Sequence, residues 1–173
     1  MANVGIKIDP KEAGIGCFNE WIMPCSQENG FDLFQGTRDF FKDPLNASNI
    51  PMMFTFPSVK DRKCNIGEEK QRLACQLLVP SERSWFKEWE NELEDESIKA
   101  HPEDGEYMKI KKQWKSKLME VLLKRYPKFK DKIDFFDVST PLSVKYYLNK
   151  SGAGAVGLDI TPSRFYDLSL IHI

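Results

Sequence analysis

Three glycines near the end of the sequence have the spacing of a dinucleotide-binding turn. The stretch NKSGAGAVGLDITPSRF places Gly152, Gly154 and Gly157 in the order G-x-G-x-x-G. In nucleotide-binding proteins such glycines follow a buried strand and open a helix whose N-terminus meets the pyrophosphate. Here the preceding residues read as a helix, and Pro162 would interrupt any helix that opened at Gly157. We therefore interpret the glycines as a loop whose backbone comes close to a ligand or a neighbouring segment.

Other residue types that support catalysis or metal binding do not form a recognisable pattern. The four cysteines (Cys17, Cys25, Cys64 and Cys75) include no C-x-x-C pair, and there are only two histidines. A structural zinc site usually needs closely spaced pairs of such ligands, so we predict no metal and reduced cysteines. The G-x-S-x-G, P-loop and H-E-x-x-H motifs are missing as well. The catalytic residues stay unknown at this point.

The composition is that of an ordinary globular domain. The 173 residues are 41% hydrophobic and 29% charged, with a formal net charge of −1. This balance gives no reason to expect nucleic-acid binding. The sequence begins without the apolar run of a signal peptide, and it contains no stretch apolar enough to predict a membrane span.

Five short apolar segments are typical of β-strands, and four other segments are typical of helices. We predict strands at 3–8, 19–24, 52–56, 73–79 and 133–138, several of them closed by proline. Helices are predicted at 31–43, from a cap at Ser81, from about 103 to 126, and from Thr140 with Pro141 in its first turn. Strands separated by helices predict an α+β fold with one mixed sheet and helices packed on one face.

Charge is divided between two neighbouring segments. Residues 82–106 contain ten acidic and three basic residues, whereas residues 109–132 contain ten basic and two acidic ones. A basic helix with aromatic residues can bind phosphates or an acidic membrane surface. The alternative is a pair of amphipathic helices packed on the sheet, and the apolar stripes of both segments favour it.

Three segments together resemble a known family. IPMMFTFPSVKD is similar to I-P-x-x-F-x-x-F-P-S-x-K-D, SWFKEWE to E-W-F-x-x-W-x, and STPLSVKYYLNKSGAGAVGLDITPSRF to a block that ends in T-P-x-R-F. All three patterns occur in the all-trans-retinol 13,14-reductases (retinol saturases), members of the FAD-dependent carotenoid and retinoid oxidoreductases. The matches cover most of residues 50–165 in the right order.

The resemblance implies a fold, a reaction and candidate site residues. It implies that residues 1–165 are part of the substrate domain of a two-domain flavoprotein, and that residues 166–173 are a truncated or non-native tail. Reduced FAD, supplied with electrons by NADPH or NADH, would deliver a hydride to a conjugated C=C bond of a retinoid. Candidates to line the substrate are Phe54, Phe56 and Tyr147, and the loop with Gly152, Gly154 and Gly157 would lie near flavin or substrate.

The resemblance also concerns partners and location. It implies an FAD-binding domain that this sequence lacks, and attachment of the full-length protein to the endoplasmic reticulum membrane. Two interpretations of the candidate residues stay open. Plain core packing accounts for Phe54 and Phe56 as well as substrate contact does. A stand-alone, non-catalytic domain that binds lipid or a protein partner is the alternative to an enzyme fragment.

Overall fold

The computed structural model describes residues 1–27, 30–61, 72–90 and 105–148. Within these ranges the strands are β1 (Ala2–Ile6), β2 (Glu20–Ile22), β3 (Met52–Thr55), β4 (Leu73–Leu78) and β5 (Ile133–Val138). The α-helices are α1 (Pro10–Ala13), α2 (Leu33–Lys42), α3 (Pro57–Lys60), α4 (Glu106–Arg125) and α5 (Pro141–Leu148). Two 3₁₀ helices cover Arg83–Trp89 and Pro127–Phe129. All five strand predictions are confirmed, with shifts of one or two residues at most ends.

The strands form one sheet in the order β2-β3-β4-β1-β5. Each described pair of neighbours is antiparallel, so the α+β class is confirmed but the predicted mixed sheet is an antiparallel one. The helices between the strands suggested parallel crossovers. Two of those helices, α1 and α3, have only four residues each, and a parallel crossover needs a dozen or more.

Alternate residues of the strands point to opposite faces of the sheet, and the helices of the described ranges pack on one of these faces. The covered side, called the core face below, carries Ala2, Val4, Ile6, Met52, Phe54, Leu73, Cys75, Leu77, Phe136 and Val138, all of them buried. The other side, called the open face, carries Asn3, Gly5, Met53, Ala74, Gln76, Leu78, Phe135 and Asp137. Ala74, Leu78 and Phe135 of this set are exposed.

Helix α4 supplies most of the helical part of the core. Its buried side chains are Tyr107, Trp114, Leu118 and Leu122, at the spacing of one helical face. This stripe agrees with the predicted amphipathic helix, and Pro127 follows the helix end. Among the described residues, no helix has the length and apolar character needed to cross a bilayer.

The helix predicted after Ser81 has a different form. Arg83–Trp89 is a 3₁₀ helix that begins after Glu82, without a side-chain cap, and Ser81 is exposed ahead of it. The tighter winding lets Trp85 stack on Trp114 of α4, with ring centroids 6.0 Å apart. Contacts across the core therefore overrode the local preference for an α-helix.

Helix α5 begins as its sequence predicts. Pro141 is its first residue, and the Thr140 hydroxyl accepts a hydrogen bond from the Ser143 backbone N–H at 3.4 Å. The same hydroxyl lies 2.7 Å from the phenol oxygen of Tyr107, a buried contact that ties α5 to α4.

Candidate functional site

The open face carries an apolar row that crosses three strands. Trp21 of β2 pairs with Met53 of β3, and Met53 pairs with Leu78 of β4. The Trp21 side chain is 65% exposed and that of Leu78 37%, while Met53 is half-buried. Two strand spacings give this row a length of about 10 Å. Neighbouring apolar side chains on an exposed surface make this row a candidate for contact with another molecule.

A polar row runs beside the apolar row, two residues further along each strand. Thr55 pairs with Gln76, Gln76 with Asn3, and Asn3 with Asp137. The Gln76 side-chain amide donates to the Asn3 side-chain oxygen at 3.0 Å, and Lys111 of α4 lies 3.5 Å from the Asp137 carboxylate. The open face thus offers apolar contact and hydrogen-bonding groups about 7 Å apart along each strand.

Lys60 adds a positive charge at one end of the polar row. Helix α3 folds back after β3, and the Ser58 hydroxyl accepts a hydrogen bond from the Ala74 backbone N–H at 3.0 Å. This fixes α3 against β4. The Lys60 ammonium can then donate to the Thr55 hydroxyl at 2.9 Å and to the side-chain oxygen of Asn19.

Phe54 and Phe56, predicted as substrate-lining candidates, are both fully buried away from the open face. Tyr126 meets each of these rings edge-on, with centroids 5.6 Å from Phe54 and 5.5 Å from Phe56. Their position is that of core packing, the alternative weighed from the sequence. Contact of either ring with substrate stays a prediction.

Tyr147 lies on α5 and is 80% exposed, with its ring edge-on to Tyr146 at 5.0 Å. Nothing in the described contacts connects it to the open face, and its contact with substrate also stays a prediction. Gly152, Gly154 and Gly157 lie outside the described residues, as do the Pro162 segment and the tail at 166–173.

The sheet edge is joined to the helical layer by a charged cluster. Glu20 of β2 accepts hydrogen bonds from the guanidinium of Arg125 and, at 2.5 Å, from the phenol of Tyr126. Burial acts to raise the pKa of Glu20, but these hydrogen bonds outweigh it and the pKa lies below its ordinary value. Burial and the bond to Glu20 together raise the pKa of Tyr126, so the phenol keeps its proton. This cluster is structural.

The cysteines show no sign of redox or metal chemistry in the described part of the chain. Cys75 lies on the core face, where burial raises its pKa to about 12. Cys17 is exposed and Cys25 half-buried, and both are free thiols. No group of three or more metal-ligating side chains occurs among the described residues. Cys64 lies outside them.

A polar cavity of about 360 Å³ lies between α2 and the segment that follows β2. Its acidic lining residues are Asp39, which accepts a hydrogen bond from Gln35 at 2.7 Å, and Asp43, which accepts from Asn46. Both carboxylates thus already accept hydrogen bonds from neighbouring amides of the protein.

Sequence reasoning missed the apolar row and Lys60. The signal was present, because a strand at 52–56 places Phe54 on the opposite face from Met53. The sequence-based prediction selected the aromatic residues Phe54 and Phe56. It did not consider the residues of β3 that point to the open face. In the sequence, Lys60 is distinguished only by its place in the PSVKD motif.

The described residues form an α+β unit with an antiparallel sheet, whose one side is packed as a core and whose other side carries the exposed apolar row. In sequence, the chain is similar to all-trans-retinol 13,14-reductases. The protein of that name from Danio rerio is 27% identical over 165 residues, which cover 94% of this chain and 25% of the relative. The Homo sapiens protein is 28% identical over 127 residues, covering 73% of this chain and 19% of the relative.

These similarities confirm the resemblance found in the three motifs. The chain spans about a fifth to a quarter of the length of the curated relatives it matches. No protein-family profile matches the chain. No solved structure matches it either.

Proposed function

We propose that this chain is the retinoid-binding part of an oxidoreductase that saturates or desaturates a C=C bond of a retinoid or carotenoid-like substrate. The apolar ligand lies on the open face of the sheet. The observation that carries the proposal is the apolar row of Trp21, Met53 and Leu78, in a chain similar to proteins named retinol reductases.

The physical basis is the burial of apolar surface on both partners. Each 100 Å² of apolar area removed from water is worth about 2.5 kcal/mol before the costs of binding. The flat indole of Trp21 offers a wide contact, and the thioether of Met53 adapts its shape to a rigid polyene. In this proposal the residues of the open face bind and orient the substrate and keep water away from it.

The described residues do not fit a flavin site. A dinucleotide turn joins a strand to a long helix through glycines, with a parallel neighbour beside the strand. In contrast, β1 is followed by Asp9 and the one-turn helix α1, and its neighbours β4 and β5 are antiparallel. The proposal therefore assigns FAD, and the NADPH or NADH that reduces it, to residues other than the described ones.

A non-catalytic lipid- or protein-binding domain is the second candidate. The basic segment 109–132 is the part of the sequence that would carry such binding. Several cations of that segment have partners within the protein: Lys111 pairs with Asp137, Arg125 with Glu20, and Lys132 with Glu12. These ion pairs join the basic segment 109–132 to the rest of the protein. They support packing against the sheet as the main role of this segment.

The test is a titration of the chain with all-trans-retinol, followed by tryptophan fluorescence. Trp21 lies on the open face, whereas Trp85 and Trp114 pack against each other on the helical side. We expect quenching in the original chain and its loss in Trp21→Leu, while the matched variant Trp89→Phe behaves like the original. Equal quenching in Trp21→Leu would refute a site on the open face.

Activity is tested with the intact protein isolated from its source cells. We expect conversion of a retinoid when FAD and NADPH are supplied, with loss of conversion in Trp21→Leu at low substrate concentration. Binding of retinol without any conversion would favour the non-catalytic domain. If the protein neither binds nor converts a retinoid, the proposal of a retinoid-binding part is overturned.

A further inference from the structure

Lys60 is placed where the end of a ligand on the apolar row would lie. Thr55, one of its hydrogen-bond acceptors, is two residues from Met53 on the same strand and faces the same way. Asn19, the other acceptor, is two residues from Trp21. Side chains two apart on a strand are about 7 Å from each other. The ammonium therefore lies next to the β2–β3 end of the apolar row.

The charge of Lys60 is not balanced by a carboxylate among the described residues. Both of its acceptors are neutral oxygens, the Thr55 hydroxyl and the Asn19 amide. An ammonium has three N–H donors, so one donor is left over. Lys60 is exposed, which leaves this donor accessible to a ligand.

The negative charge of the polar row lies at its far end. Asp137 is three strands away from Thr55, about 14 Å, and it is already paired with Lys111. A ligand with an anionic end would therefore be attracted to the Lys60 end of the open face and not to the Asp137 end. The two neutral amides between them, Gln76 and Asn3, bond to each other.

We propose that Lys60 binds the oxygen-bearing end of the apolar ligand, and that the preferred ligand is an apolar chain ending in a carboxylate. This inference rests on the proposed function, since it assumes that the apolar row holds the hydrocarbon part. A carboxylate adds the attraction between opposite charges to the hydrogen bond from the ammonium, whereas a hydroxyl accepts the hydrogen bond alone.

The test compares three probes that share one hydrocarbon skeleton: all-trans-retinoic acid, all-trans-retinol, and the hydrocarbon without oxygen. Binding to the whole chain is measured at low salt through its tryptophan fluorescence. We expect the acid to bind about five- to tenfold more tightly than the alcohol, since both charges keep contact with water. The hydrocarbon is expected to bind most weakly.

Three variants distinguish an effect of the Lys60 charge on binding from an effect of altered folding. Lys60→Met is expected to remove the preference for the acid and to leave hydrocarbon binding unchanged, while Lys60→Arg retains the preference. Thr55→Val removes one acceptor of the ammonium without altering the charge, and is expected to keep most of the preference. Lys124→Met, an exposed lysine of α4, is the matched control and should bind all three probes like the original.

The outcomes distinguish this inference from the proposed function. If Lys60→Met weakens all three probes equally, or if the original chain binds the acid no better than the hydrocarbon, the role of Lys60 is refuted and the apolar site stands. If no probe binds the original chain, the proposed function itself fails. Thermal unfolding of each variant shows whether a loss of binding reflects a loss of fold.

Discussion

The phenol of Tyr126 donates a hydrogen bond to Glu20 at 2.5 Å across 106 positions of sequence. Glu20 belongs to β2, the edge strand of the sheet, and Tyr126 ends α4 on the helical side. The bond therefore holds the outermost strand, which carries Trp21, against the helical layer.

Replacing Tyr126 with Phe should lower the free energy of unfolding by about 1 kcal/mol. The variant keeps the ring that contacts Phe54 and Phe56 but removes a donor to a carboxylate, and partial exposure reduces the usual effect. Urea denaturation measures the change. Tyr147→Phe, at an exposed position, is the control and should change stability by less than about 0.5 kcal/mol. Equal effects of the two variants would contradict a stabilising role for the Glu20 bond.

The stability contributed by Glu20 should depend on pH in a defined direction. Burial tends to raise the pKa of its carboxyl, but the bonds from Arg125 and Tyr126 lower it below the ordinary value of 4.5. A group with a lowered folded-state pKa contributes stability above its unfolded pKa and loses that contribution as the pH falls through the folded value. The difference in unfolding free energy between the original chain and Glu20→Gln should thus be constant near neutral pH and shrink below 4.5.

Denaturation curves of both proteins between neutral and strongly acidic pH measure that difference. Glu90 also has a lowered pKa, because of its bonds with Arg83 and Lys145. The pH dependence of the unfolding free energy of the original chain therefore contains contributions from both Glu20 and Glu90. Subtracting the Glu20→Gln curve cancels the contribution of Glu90. A difference that grows on acidification has the wrong sign for this mechanism.

Trp114→Ala should be strongly destabilising. The ring is 6% exposed, stacks on Trp85 and belongs to the buried hydrophobic cluster, so its loss should cost about 3–5 kcal/mol. Trp21→Ala on the open face removes a ring of the same size and should cost less than about 0.5 kcal/mol. Thermal or urea unfolding of the two variants measures this contrast. Similar costs would mean that the open face is covered in solution.

The thiols should differ in their reactivity with iodoacetamide. Only a thiolate reacts, and burial raises the pKa of Cys75 to about 12, whereas the Cys17 side chain is exposed. Mass spectrometry of the folded protein should find Cys17 modified first, with Cys75 modified only after denaturant is added. Modification of Cys75 at the rate of Cys17 would show that β4 opens readily.

The sequence predicts the positions of strands and helices better than it predicts which strands pair in the sheet. Apolar runs and prolines located all five strands, and Thr140 with Pro141 located the start of α5, because those signals act over a few residues. Strand order depends on contacts such as Ala2 with Val138, which no local pattern encodes. The antiparallel sheet was missed for this reason, and so was the 3₁₀ winding of Arg83–Trp89, which is favoured by the stack of Trp85 on Trp114.

The candidate site was harder to predict than the fold. Phe54 and Phe56 were predicted to line the substrate because they are large and aromatic. In the structure both are buried in the core. Trp21, Met53 and Leu78 lie in three separate segments and form a row only through the register of β2, β3 and β4. Lys60 gains its position from the one-turn helix α3, which the sequence did not predict.

The place of β1 in the sheet has a consequence for how the chain is made. Its two neighbours, β4 and β5, are synthesised long after it, β5 more than 120 residues later. While a ribosome is still producing those segments, β1 has no partner on either side, and its apolar residues Val4 and Ile6 stay accessible to chaperones. A sheet closed by such distant pairings has a high contact order, which slows folding. The order of the strands thus ties completion of the sheet to the emergence of β5.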